Sequence, residues 1–158
     1  MVTKRRVIIA LLELAIVVAL LVYALAPRSL ERATGGVYDR ASVTAVEVEM
    51  TAANTEAESE AHRLSLTPGT EACDGLLDIL ERRYTPYYLD TNWEENIRSY
   101  AVVITLTTAQ GECTVSFTEN DPIRMTSTGL DRPKTYRIWN GTFQGETLAY
   151  LLELEENN

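Results

Sequence analysis

The chain has 158 residues, with 23 acidic and 14 basic side chains and a formal net charge of −9. That length leaves room for one ordinary domain with a real core beside the apolar N-terminus, and it excludes a second domain. Residues 27–158 carry 11 cations and 22 acids, a net of −11, and a surface that acidic repels nucleic acid and anionic lipid.

The first element is the run 7–26, VIIALLELAIVVALLVYALA, preceded by Lys4, Arg5 and Arg6 and followed by Pro27. Twenty helical residues span about 30 Å, the thickness of a bilayer's hydrocarbon core. Thirteen of them are Val, Ile or Leu, and their insertion energies outweigh the cost of about 3 kcal/mol for Glu13. The three cations set the expected orientation: residues 1–6 cytoplasmic, 7–26 a single-pass signal-anchor that contacts the lipid bilayer, and the rest extracytoplasmic at the plasma membrane. A removable signal peptide is the competing reading, because Ala24-Leu25-Ala26 has the small-x-small pattern of a cleavage site. Pro27 opposes it, since a proline at the new N-terminus distorts the backbone a peptidase must grip.

Glu13 admits two readings. In an isolated helix it is protonated in lipid, where desolvation raises a carboxyl pKa. Alternatively it meets a partner: Leu11-Leu12-Glu13-Leu14-Ala15-Ile16-Val17-Val18-Ala19 resembles the N-terminal hydrophobic segment of type IV pilins and pseudopilins. That resemblance implies an assembly subunit whose Glu13 pairs with a neighbouring subunit's N-terminal amine. Ile8 stands where the family carries glycine, and Pro27 with Thr34-Gly35-Gly36 ends the helix early.

Residues 27–41 are polar with paired glycines and read as a tether ahead of a domain over 42–158. Ser42 to Thr51 alternates Val46, Val48 and Met50 against Ala45, Glu47 and Glu49, the pattern of a half-buried strand. An acidic, turn-like stretch follows, and Arg63 to Leu66 reads as a short return strand. Thr67-Pro68-Gly69-Thr70 supplies caps for an amphipathic helix over Glu71 to Tyr84, in which Gly75 costs about 1 kcal/mol and Arg82 and Arg83 favour the C-terminal dipole. After a tyrosine-rich loop, Ser99 to Thr107 reads as a central strand with Tyr100, Val102, Ile104 and Leu106 on one face. Glu112 to Thr118, Ile123 to Thr126 and Lys134 to Trp139 continue an antiparallel meander. Glu146 to Leu154 closes as a helix with Leu148, Leu151 and Leu152 on one side, and Glu155 to Asn158 fray.

The expected fold class is α+β: an N-terminal transmembrane helix followed by one antiparallel-sheet domain of order β-α-β-β-β-β-α, with both helices on one face. In shape alone, that topology is similar to one repeat of the TATA-binding-protein fold. Cys73 shares a helical face with Leu76, Leu77, Leu80 and Tyr84, and Cys113 shares a strand face with Val115 and Phe117. Both thiols therefore point at the core, and on the translocated side a Cys73–Cys113 disulfide is expected.

Four clusters are candidate sites. Glu56, Glu58, Glu60 and His62 would share one face of an extended segment and could hold a divalent cation, but the pattern matches no known metal loop and an acidic solvated hairpin tip is the favoured reading. Arg82, Arg83, Tyr84, Tyr87, Tyr88 and Trp93 combine rings with guanidinium groups, as surfaces that anchor a protein partner or stack on sugars do, or as residues that cap a core do. Asp74 and Asp78, one turn apart, have the spacing of an acid/base pair but fall on the wet helix face. Asn140-Gly141-Thr142 matches a glycosylation sequon. C-x-x-C is absent and His62 is the sole histidine, so no thiol catalysis and no cofactor are expected. The reading that follows is a membrane-anchored binding module without catalytic activity, whose partner is another envelope or membrane protein. A pilin-like assembly subunit is the alternative, and an envelope-polymer hydrolase with a carboxylate-lined cleft is the third.

Overall fold

The structure is a computed structural model that describes residues 4–52, 61–88, 100–118, 122–138 and 142–157. Its elements run α1 (Lys4–Leu25), α2 (Leu30–Ala33), a 3-10 turn, β1 (Val43–Ala52), β2 (Ala61–Leu66), α3 (Glu71–Leu80), β3 (Thr85–Pro86), β4 (Tyr100–Thr108), β5 (Gly111–Thr118), β6 (Ile123–Ser127), β7 (Lys134–Arg137) and α4 (Phe143–Glu156). This is an α+β domain behind an N-terminal apolar helix. The apolar stretch Arg6–Leu25 of α1 is long enough to cross a membrane, and none of it is buried against the rest of the chain.

The strands form one antiparallel sheet in the order β2-β1-β4-β5-β6-β7-β3. Alternation dictates its faces. Leu66, Val46, Leu106 and Cys113 make one cross-strand row, and Leu64, Val48, Ile104, Val115 and Met125 the next. These side chains pack under α3 and α4 in a single core, while Glu47, Glu49, Thr105, Ser116 and Arg124 lie on the uncovered face. The expected one-sided cover by both helices is borne out. β2, hydrogen-bonded to β1, is the short return strand expected at Arg63 to Leu66, and the two-residue β3, hydrogen-bonded to β7, is a strand beyond those expected.

Thr70 caps α3, its side-chain oxygen accepting from the Cys73 amide at 3.3 Å. Cys73, Leu76, Leu77 and Leu80 form the helix's buried face. The helix stops at Leu80, four residues short of the expected end, because the Tyr84 backbone is taken by an isolated bridge with Arg28: each amide donates to the other carbonyl, at 2.8 and 2.9 Å. Arg82 and Arg83 thus lie beyond the helix end. Gly75 lets α4 approach α3. A Cβ there would collide with the Tyr150 ring, whose hydroxyl donates to the Ala72 carbonyl at 3.0 Å. α4 starts at Phe143, three residues before the expected start, and buries Phe143, Thr147 and Leu151 at i, i+4 spacing. Leu148 is only partly buried, as is Leu152. Its last turn does not fray, since Glu155 pairs with His62 of β2.

Residues 27–41 are not a tether. Leu30, Ala33, Thr34, Val37 and Tyr38 are all buried, and the backbone of this strap is held from several strands. Tyr136 donates to the Ala33 carbonyl at 3.1 Å, Ser127 to the Thr34 carbonyl at 2.5 Å, and Thr108 to the Val37 carbonyl at 2.8 Å. Gly35, at φ +72°, comes so close to Gly129 that a side chain on either would strike the other's backbone. Polar composition suggested solvent, but here hydroxyls and carbonyls satisfy each other inside the fold.

The cysteines are a second correction. Cys73 and Cys113 are both fully buried, as their faces require, yet they are free thiols and no disulfide joins them. Inward direction is shared by the whole core, whereas a disulfide also needs Cα atoms within about 7 Å and converging Cβ vectors. The two sulfurs act as small apolar groups. Burial pushes the Cys113 thiol up to about 11, with Glu112 adding to it, and burial raises Cys73 as well.

Candidate functional site

The tyrosine and arginine cluster divides once it is folded. Tyr84 is fully buried: its ring meets Tyr136 and Phe143 edge-to-face at 6.1 and 6.2 Å, and its hydroxyl donates to the Leu80 carbonyl at 2.5 Å. It belongs to the core, not to a binding surface. Arg82 reaches Glu146 of α4 at 3.0 Å, and Arg83 is exposed on the same turn. Trp93 lies outside the described residues.

Tyr87 and Tyr88 stay at the surface, where the topology brings them to residues distant in sequence. The Tyr87 amide donates to the Thr135 carbonyl at 2.9 Å, continuing the β3–β7 pairing, and the Arg137 guanidinium stacks 4.1 Å from the centre of its ring. Arg28 arrives through its backbone bridge to Tyr84. Arg132 and Pro133 lead into Lys134, the first residue of β7. Together Arg28, Tyr87, Tyr88, Arg132, Lys134 and Thr135 surround a cup of about 530 Å³ with Tyr136 as its floor. Burial raises the Tyr136 pKa, and the nearby Arg28 charge opposes that shift.

Two features set the cup apart. It lies against the end of α1: Tyr88, 69% exposed, donates its hydroxyl to the Ala24 carbonyl at 3.1 Å. Close by, Arg32 hydrogen-bonds the Tyr23 hydroxyl at 2.5 Å and stacks 5.0 Å from the ring centre. The cup is also cationic, with no counter-charge in its lining among the described residues. Among the described residues, none of Arg28, Arg132, Lys134 and Arg137 has a carboxylate within 4.0 Å, and the lining contains no Asp or Glu.

The other candidates are engaged structurally. Asp78 and Glu81 bind Arg40 at 2.5 and 3.1 Å, and Asp74 lies 3.5 Å from the same guanidinium. The Asp78 hydrogen bond is the largest influence holding the Arg40 pKa above its ordinary value. Glu81 further accepts from the Tyr38 hydroxyl at 2.7 Å, while burial foremost and that contact next raise the Tyr38 pKa. Asp74 and Asp78 therefore clamp the strap, as their position on the wet helix face allows. Glu56, Glu58 and Glu60 lie outside the described residues, as do Asn140 and Gly141 of the sequon. His62 points to the helix-covered side and pairs with Glu155, and the described residues contain no group of three or more metal-binding side chains. Glu13 is exposed on α1.

The cations of the cup, Arg28, Arg132 and Lys134, escaped the sequence reading because they come from two segments about a hundred residues apart. Two signals pointed at them. Arg28 follows the apolar run by two residues, where interfacial cations concentrate, and Arg132-Pro133-Lys134 is a local reversal of sign in an acidic chain. Comparison of the chain with protein-family models, with curated proteins and with solved structures returns no match.

Proposed function

We propose that this protein is a single-pass plasma-membrane protein with a cytoplasmic N-terminus, whose extracytoplasmic α+β domain is a non-catalytic module that binds another envelope or membrane protein. The observation that carries the reading is the junction: a wholly unburied apolar helix leads directly into the packed strap, and Tyr88 ties the domain to the helix's last turn. A helix removed as a signal peptide would gain nothing from a hydrogen bond to its cargo. The charge pattern favours the orientation, with Lys4, Arg5 and Arg6 directly ahead of the apolar run.

Binding is favoured over catalysis by how the reactive groups are used. Asp74 and Asp78 neutralise Arg40, His62 is paired with Glu155, and both thiols are buried with raised pKa values. A partner is offered the uncovered sheet face, where Glu47, Glu49, Arg63, Ser65, Val103 and Thr105 line a shallow depression of about 430 Å³. The pilin-like alternative draws on Glu13, exposed on α1, but α1 ends at Leu25, without the extension into the domain that a pilin helix requires.

The test is topology. With a reporter fused after Asn158, the full-length chain is expected to resist alkaline carbonate extraction and to expose the reporter only outside the cell. A shortened product beginning at Pro27, or a reporter in the cytosol, overturns the reading. Self-cross-linking that Glu13→Gln abolishes would put the assembly subunit in its place.

A further inference from the structure

We infer that the cationic cup binds the phosphate of an anionic phospholipid in the leaflet from which α1 emerges, an assignment that rests on α1 being a retained anchor. The location supplies the first argument. Tyr88 both lines the cup and donates to the carbonyl of Ala24, the penultimate residue of α1, so the cup opens where the helix leaves the hydrocarbon, at headgroup depth. Tyr23 and Tyr88 place phenol rings at that level and Arg28 and Arg32 place guanidinium groups there, the composition that membrane interfaces select.

Chemistry supplies the second argument. Arg28, Arg132 and Lys134 offer two planar forks and an ammonium around one cavity, a donor set suited to the oxygens of a phosphodiester. The Arg28 backbone is held by its two-bond bridge to Tyr84. A donor on a fixed backbone loses less entropy on binding than one on a mobile segment does. None of the three cations meets a carboxylate among the described residues, although acids outnumber bases two to one after residue 26. Outside the cup, Arg40 meets three carboxylates, Arg63 meets Glu49 and Arg82 meets Glu146.

The net charge of the domain does not cancel this local field. Salt screens exposed charges beyond about 8 Å at physiological ionic strength, so the net charge of the whole domain does not set the field at the cup. Repulsion of anionic lipid, expected from composition, holds for the bulk of the surface and reverses at this one place. The volume of about 530 Å³ accommodates a headgroup phosphate with its glycerol ester, while the acyl chains remain beside α1.

The experiment uses the full chain in detergent, presented with equal amounts of phosphatidylglycerol and phosphatidylcholine and read by native mass spectrometry. Wild type is expected to retain the anionic lipid preferentially. Arg132→Glu with Lys134→Glu should lower that preference by more than about thirtyfold, since each cation near an anionic surface contributes about a factor of five and the reversal adds repulsion to the loss of both. Arg63→Glu with Arg124→Glu makes the same change of charge on the uncovered face and should leave it intact. If the reversal does not fold, as judged by circular dichroism, Arg132→Gln with Lys134→Gln takes its place with a smaller loss expected. No preference in wild type, a preference that survives loss of the cup cations, or an equal loss in the control pair overturns the assignment. Millimolar inorganic phosphate that displaces the lipid, or that stabilises the protein when phosphatidylglycerol does not, transfers the cup to a soluble anion and also overturns it. Carbonate extraction of the same chain separates the two failures. A retained chain without lipid preference defeats this inference alone, and an extracted chain defeats the anchor on which it rests.

Discussion

The strap that follows α1 begins and ends with an arginine, and the two are treated in opposite ways. Arg40 is gripped by Asp74, Asp78 and Glu81 of the α3 region; Arg28 has no carboxylate within reach among the described residues and lines a cup shared with two further cations. Among the described residues beyond the helix, Arg40, Arg63 and Arg82 meet a carboxylate, and Arg28, Arg132 and Lys134 do not. The contrast separates a charge that holds the fold together from charges left available to something outside it.

The sharpest way to break the comparison is to loosen the strap between its two arginines. Leu30→Ala removes a buried side chain and should cost about 2–5 kcal/mol, measured by urea unfolding followed by tyrosine fluorescence. A loss near zero would return residues 27–41 to the status of a tether. Next in size is Gly75→Ala, in the helix that receives Arg40. Helix propensity alone forecasts a gain of about 1 kcal/mol; the Tyr150 ring that occupies the site makes the expected outcome a loss of about 1–3 kcal/mol.

Smaller again is the arginine pair itself. Arg40→Ala should cost about 1 kcal/mol at low ionic strength, a cost that shrinks as salt is added, because the carboxylates are partly exposed. Arg132→Ala should stay within about 0.5 kcal/mol. Equal costs would erase the distinction. The alkaline limb of stability sharpens it further. Tyr38, Tyr84 and Tyr136 have pKa values raised above the ordinary phenol, chiefly by burial. The unfolded chain therefore releases these protons first, and their contribution is complete below about pH 10 and lost as pH rises beyond it. Cys113, raised from 9.0 to about 11, starts the decline earlier. Denaturation midpoints measured across that range should fall, less steeply in Tyr38→Phe.

Where a local period was strong, the sequence was legible. Val46, Val48 and Met50, Val102, Ile104 and Leu106, and Cys113, Val115 and Phe117 line up across three strands as their alternation required. The leucine face of α3 and the apolar α1 were equally plain. What stayed hidden depended on partners far along the chain. Thr85-Pro86 is a strand only because β7 lies beside it. Tyr84 carried two readings, the leucine face of the helix and the surface cluster with Tyr87 and Tyr88, and its burial and the bond to the Leu80 carbonyl keep the first. The cup needed all of these pairings at once, so no window of sequence contained it. The thiols were legible in direction and not in distance.

Between Leu25, the last residue of α1, and Arg28, already paired with Tyr84, lie only Ala26 and Pro27. Two residues extend over about 7 Å at most, so in the proposed topology the globule cannot rise off the bilayer on a stalk. It is seated like a boss riveted to a shield, and whatever docks on it must come down to the lipid to do so. Spacer residues inserted at Pro27 would test how much of its recognition depends on that fixed height.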